Sequence, residues 1–202
     1  MSTTLSAPTF LEKLRTATTE SHTGLEALPV SVSIMNPAVT NKEYALYLSL
    51  MLDVVKDAEE NIFPIVHRTV TDLDVHPKAQ FIEADLKALD YTKTASTKPL
   101  TQSLDVAAIT PAFAFGVMYV IEGSSLGGRV ILKNINGALG HDADNGASYF
   151  AGYGGQTGSH WKAFLEALIQ YETLNNCEDE IIAGANFTFD AISAHLTANA
   201  HL

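Results

Sequence analysis

Apolar residues recur along this chain at helical intervals, and alternating strand-like runs are absent. Leu11, Leu14, Thr18, His22 and Leu25 fall at spacings of 3, 4, 4 and 3, one stripe of a helix that opens at Pro8. Pro29 and the segment SVSIMNPAVT end it. A second helix starts at Thr40 or Asn41, with Glu43 in its first turn, and carries Tyr44, Tyr47, Leu48, Met51, Leu52 and Val55. Pro64 kinks or stops it near Phe63. His76-Pro77 opens a third helix over KAQFIEADLKALD, and the polar stretch YTKTASTKPLTQS reads as a loop. Thr110 and Pro111 are an N-cap and a first helical position for a helix reaching about Gly137. The glycine-rich GALGHDADNGASYFAGYGGQTGS holds a short helical piece at ASYF, and SHWKAFLEALIQYETL and CEDEIIAGANFTFDAISAHLTA are two further amphipathic helices. The pattern predicts an all-α, single-domain multi-helix bundle over 1–202, with a core of about 8–197 behind a short disordered N-terminus.

The helix opened by Thr110 contains FGVMYVIEGSSLGGRVILKNI, mostly apolar yet holding Gly116, Gly123, Gly127 and Gly128. Each interior glycine costs roughly 1 kcal/mol relative to alanine. At about 100° per residue, Gly116, Gly123 and Gly127 point within about 40° of one another. They form a trough without side chains, flanked by Tyr119 and Val120, with Ser124 and Gly128 to one side. Two occupants suit such a trough: a closely packed helix, or a flat ligand against the backbone.

His22 lies within the first helix's apolar stripe, which predicts a buried imidazole needing partners for both nitrogens. Two readings stand: a core histidine, or a ligand for a metal that arrives inside a macrocycle, because one histidine cannot build a zinc site. Arg15, two turns earlier and about 20° away, shares that side and can meet an acidic group of the same ligand. Lys162 and Glu166 read as a solvated i,i+4 pair. The other histidines, His67, His76, His141, His160, His195 and His201, show no HxxxH or ExxH spacing, and no GxSxG, P-loop or strand-led GxGxxG occurs.

Composition narrows the function further. Twelve basic against 23 acidic side chains leave a net charge of −11, which argues against nucleic acid and anionic membranes as partners. Cys177 is the single cysteine, so neither a disulfide framework nor a thiolate metal site is expected, and its acidic CEDE setting disfavours the thiolate. Neither a signal peptide nor a membrane span is read, so the default location is the cytoplasm.

Several segments together resemble the heme oxygenase family, in particular its bacterial biliverdin-producing branch. LRTATTESHTGLE is similar to the helix carrying the family's axial histidine, and GVMYVIEGSSLGGRVI to its distal helix. YGGQTGSHWKAFLEAL and GANFTFDAISAHL resemble its later helices, in the same order, from about residue 10 to 197. The resemblance implies a heme held between the first helix and the glycine helix, as cofactor and substrate. It implies His22 as the proximal iron ligand, Gly123 and Gly127 over the distal face, Tyr119 and Ser124 beside the ring, and Arg15 and Lys162 pairing with the propionates. Glu166 stands where some members carry another basic residue, and Ser124 where mammalian members carry an aspartate. The implied reaction is oxidative opening of heme to biliverdin, with release of iron and CO, using O2 and electrons from an external donor such as a ferredoxin or another reductase. A bilin-binding photoreceptor is a candidate consumer of the product, and a monomer is the simplest expectation. The alternative is a non-catalytic heme- or tetrapyrrole-binding protein on the same fold. A different enzyme on this architecture needs a cysteine nucleophile or a carboxylate–histidine cluster.

Overall fold

A computed structural model describes residues 8–200; the expected disordered N-terminus and His201 lie outside the described residues. Helix α1 spans Phe10–Glu26, and α2 is a short Pro29–Ser33 turn within the segment read as a terminator. Thr9, not Pro8, opens α1: its hydroxyl accepts the Glu12 N–H while the Glu12 carboxylate accepts the Thr9 N–H. The same capping box, Thr40 with Glu43, opens α3, Asn41–Asp57. Burial of α3 reaches well beyond one stripe, because Leu48, Leu50, Met51, Leu52, Val54 and Val55 all lie in the core.

Pro64 acts as anticipated, with one addition. A π-helical turn, Ala58–Ile62, joins α3 to α4, Phe63–His67, and the Phe63 N–H reaches back to the Ala58 carbonyl. Proline has no N–H to return to the preceding turn and its ring crowds that turn's carbonyl, so a widened turn relieves the clash. Helix α5, Ala79–Ala88, starts after His76-Pro77 with Lys78 as its cap residue. Segment 89–105 is irregular, as its polarity indicates, and a short 3-10 turn, Val106–Ala108, leads to α6.

Helix α6 runs unbroken from Pro111 to Leu139; the Thr110 hydroxyl accepts the Phe113 N–H at 3.2 Å, and Gly140 ends the helix in the left-handed region at φ 76°. The ASYF piece is α7, Ser148–Ala151, followed by α8, Thr157–Asn175, and α9, Glu178–Asn199. Among the described residues there is no strand beyond isolated bridges at Asp142. One cluster of buried side chains is shared by α1, α3, α6 and α9, with Leu14, Leu48, Phe115 and Ile192 among its members.

Three buried aspartates hold the irregular segments to this core. Asp57 accepts the Leu100 and Thr101 N–H groups at 2.8 and 2.9 Å. Asp53 accepts the Thr97 hydroxyl at 3.0 Å and pairs with Lys93 at 3.1 Å. Asp85 accepts the Ser148 and Tyr149 N–H groups and so caps α7. Buried carboxylates need such partners, and loops need such acceptors for their backbone donors.

Candidate functional site

Helix α9 packs along both α1 and α6, whereas α1 and α6 scarcely touch each other. The two helices quoted for the axial histidine and the glycine trough thus both lie against α9, and they meet each other through the Arg15 and Tyr119 side chains. Gly116 and Gly184 make the α6–α9 approach close. A side chain on Gly116 would collide with the Ile181 carbonyl, and one on Gly184 with the Phe113 carbonyl.

The glycine stripe thus divides along its length. At Gly116 the occupant is a packed helix. At Gly123 it is the Trp161 indole, 3.3 Å from where a Cβ would lie. At Gly127 the space is open. Gly128 faces the backbone of Phe150 on α7, with the carbonyl oxygen 2.9 Å from a Cβ position. The packed-helix reading of the trough holds at Gly116, and the trough stays unfilled at Gly127.

His22 departs from the sequence expectation. Leu14 and Thr18 are buried, but the His22 side chain is 55% exposed. Its Nε2 lies 3.6 Å from a Glu26 carboxylate oxygen, and its ring meets Phe189 of α9 edge-on at 5.5 Å. The stripe follows the helical period correctly, but beyond Thr18 the cover from α9 is partial: Phe189 meets the His22 ring by its edge and Asn186 accepts the Ser21 hydroxyl. The consequence is chemical: an imidazole at an open edge keeps a nitrogen free for a ligand.

Arg15, Tyr119, Trp161 and Gly123 are brought together. Burial pushes the Tyr119 hydroxyl pKa upward, and the Arg15 guanidinium beside it opposes the shift. The Tyr119 ring lies 5.5 Å from the Trp161 ring, and Trp161 stacks on Phe164 at 5.6 Å. Lys162 projects outward, 78% exposed, with Glu166 3.6 Å away, the solvated pair its spacing indicates. Ser124 is exposed, its hydroxyl donates to the Ile121 carbonyl at 2.7 Å, and the Tyr149 hydroxyl lies within hydrogen-bond reach of it. Exposed apolar side chains Leu126 and Val130 follow on α6. Val130 and Met35 line a surface cleft of about 360 Å³ with Pro37, Lys133, Asn134 and Gly137. Neither this cleft nor a second one of about 400 Å³, at Leu52, Lys56 and Tyr91, is lined by any of the predicted site residues.

Sequence reasoning placed Trp161 on an apolar face and overlooked its contact with Gly123, which no local signal encodes. It also overlooked Glu122, a carboxylate inside the apolar run VMYVIEG, whose burial could have been read from its neighbours. Burial with Glu172 and Glu180 nearby raises the Cys177 thiol pKa, in line with its acidic setting. Among the described residues no group of three or more His, Cys, Asp or Glu side chains is placed to hold a bare metal ion. No described helix is long and apolar enough to cross a membrane.

Fold and site define an all-α protein in which a helix with an exposed histidine and a glycine-rich helix both pack against α9. The heme oxygenase family model matches residues 8–197, and the chain belongs to that family. It is a heme-degrading enzyme, which favours turnover over the storage alternative. Heme oxygenase from Neisseria meningitidis, solved with NO and CO bound, is similar at 25% identity and a TM-score of 0.77, over 96% of this chain and 92% of that one. Heme oxygenase from Leptospira interrogans shares the fold at 18% identity and a TM-score of 0.74, over 95% of this chain and 100% of that one. No curated protein matches the sequence.

The residues present fit heme. A lone exposed imidazole suits a metal that brings its own macrocycle. The open space at Gly127 and the exposed Leu126 and Val130 suit an apolar ring, and the exposed Arg15 and Lys162 suit its acidic edge.

Proposed function

We propose that heme binds in the cleft between α1 and α6 and is converted there to biliverdin, iron and CO. What supports this reading is an exposed histidine, His22, on α1 and side-chain-free space at Gly127 on α6, two helices that both rest on α9. Heme, when bound, supplies the iron for O2 reduction and is itself the ring that is opened. His22 would hold the heme iron through its imidazole, with Phe189 beside it limiting the tilt of that ring. A neutral imidazole lacks the electron push by which a thiolate favours O–O cleavage.

Gly127 forms the opposite wall, where the absence of a side chain lets the α6 backbone approach the ring, and Gly123, with the Trp161 indole against it, marks the end of that wall. Trp161 and Tyr119 close the end of the cleft near Gly123 and exclude water there. Arg15 and Lys162 bind the propionates and so set which ring edge meets the wall. Lys162 must leave Glu166 to do this, and an exposed pair of this kind is worth only about 0.3–0.5 kcal/mol. Ser124 accepts a hydrogen bond from an ordered water, because its own proton is committed to the helix. Residues 8–197 act as one domain and as a monomer. A single cysteine cannot hold an iron–sulfur cluster, so electrons come from a separate protein such as a ferredoxin or another reductase. The unpaired Cys177 suits the cytoplasm.

The deciding experiment is a hemin titration of the purified protein followed by ascorbate or a ferredoxin system in air. A histidine-ligated Soret band at one-to-one stoichiometry, decaying into a biliverdin absorption, is expected. A Soret band that persists across several donors would overturn the catalytic reading.

A further inference from the structure

Glu122 immediately precedes Gly123 and is buried, about 140° around the helix from Gly127. Lys78 Nζ donates to its Oε1 at 2.6 Å, and the Tyr153 hydroxyl donates to its Oε2 at 3.0 Å. Lys78 Nζ also lies 4.7 Å from the centre of the Tyr153 ring. Both partners are themselves held. Glu59, on the π-helical turn, accepts the N–H groups of Lys78 and Ala79. Tyr153 stacks on His160 at 4.0 Å and its hydroxyl accepts the His76 N–H at 3.2 Å. Through this one carboxylate α6 is tied to the π-helical turn, the start of α5 and the loop after α7.

The tie falls beside the weakest stretch of α6. Gly123, Gly127 and Gly128 lower helix propensity there. The Ser124 and Ser125 hydroxyls donate to the carbonyls of Ile121 and Glu122 at 2.7 and 2.6 Å, which competes with helical bonding and favours bending. Left alone, such a stretch has several arrangements of similar energy. A buried, fully partnered ion pair adds little net stability but selects one geometry.

We propose that Glu122 is a positioning residue. With Lys78 and Tyr153 it fixes the rotation and height of the 123–128 segment above the cleft, acting through the backbone without touching heme. The inference rests on the reading of α6 as a wall of the heme cleft.

Amide hydrogen exchange on the heme-free full chain tests it. In Glu122→Gln, exchange of amides 123–128 is expected to quicken about tenfold or more, while amides 185–192 of α9 keep wild-type rates. Tyr153→Phe, which leaves the Lys78–Glu122 pair in place, is expected to give a smaller change at the same amides, and it carries the test if Glu122→Gln does not fold. In the ferrous CO complex, the C–O stretch is expected to broaden or split in both variants, with heme stoichiometry unchanged. Unaltered exchange at 123–128, or quickening shared equally with α9, would overturn the proposal. Failure of the wild type to take up heme would overturn the functional reading instead, and the exchange result would still decide whether Glu122 fixes this segment.

Discussion

The indole of Trp161 occupies the place into which a side chain at position 123 would project, 3.3 Å from the Cβ position at its Cη2 atom. One turn onward, at Gly127, the corresponding space is open, and two turns back, at Gly116, it is filled by the α9 backbone. Glycines that share a stripe therefore answer to different restraints.

Alanine substitutions separate those restraints. Gly116→Ala is expected to destabilise the heme-free protein by about 2–3 kcal/mol or more, because a backbone carbonyl cannot step aside. Gly127→Ala gains up to about 1 kcal/mol of helix propensity at no steric cost. Gly123→Ala falls between, since the helical gain is offset by pushing the indole a few tenths of an ångström. Thermal melts of the heme-free variants check the order. For bilin formation Gly127→Ala moves the other way and loses about tenfold or more, because a methyl group displaces the ring from the wall. A Gly127→Ala variant melting below wild type would show that this space is not free.

His22→Ala is expected to leave the heme-free fold within about 0.5 kcal/mol of wild type, since the side chain is exposed and makes no buried hydrogen bond. Hemin titration should then lack the histidine-ligated Soret band, and added imidazole should restore it. Retention of the wild-type spectrum without imidazole would exclude His22 as the ligand.

Local signals were the legible part of this fold. Thr110 and Pro111 announce α6, Thr40 and Glu43 announce α3, and ASYF announces α7, because a cap or a turn is written within a few adjacent residues. The glycine stripe was legible as a register but not as a set of occupants, since Ile181, Trp161 and Phe150 come from other helices. His22 shows the same limit: helical period assigns it a face, but only the packing of α9 decides where that face stops being covered. Asp53, Asp57 and Asp85 look like surface carboxylates to a periodic reading, and Glu122, though its apolar neighbours mark it as buried, carries no local sign of its partner. Their partners lie 44 residues away for Asp57 and Glu122 and 63 for Asp85, beyond any local pattern.

Asp57 is the clearest of these long-range acceptors. Asp57→Ala strands the Leu100 and Thr101 N–H groups in a buried site, each such loss costing about 1–3 kcal/mol. The expected effect is about 3 kcal/mol in urea unfolding, with a slope near wild type if the loop detaches only on global unfolding. Asp57→Asn keeps one acceptor oxygen and should recover part of the loss.

His195 gives the protein a specific sensitivity to acid. It is buried, with Nε2 3.2 Å from the Leu50 carbonyl and 3.6 Å from Asp53, and with Nδ1 3.3 Å from the Asn199 amide. Burial lowers its pKa below the ordinary 6.5; the Asp53 carboxylate and the Leu50 carbonyl pull the other way, and Lys93 adds to the lowering. Between the lowered folded value and 6.5 the unfolded chain binds the proton and the folded chain does not, so stability falls as pH falls. The contribution is complete above the unfolded value and is lost on the way down to the folded one, at no more than about 1.4 kcal/mol per pH unit. His195→Gln removes the titrating group. Its urea midpoint should therefore change less than that of wild type between about pH 7.5 and about pH 5.5, although it starts lower. Parallel curves for the two proteins would mean that the acid sensitivity arises from the carboxylates instead.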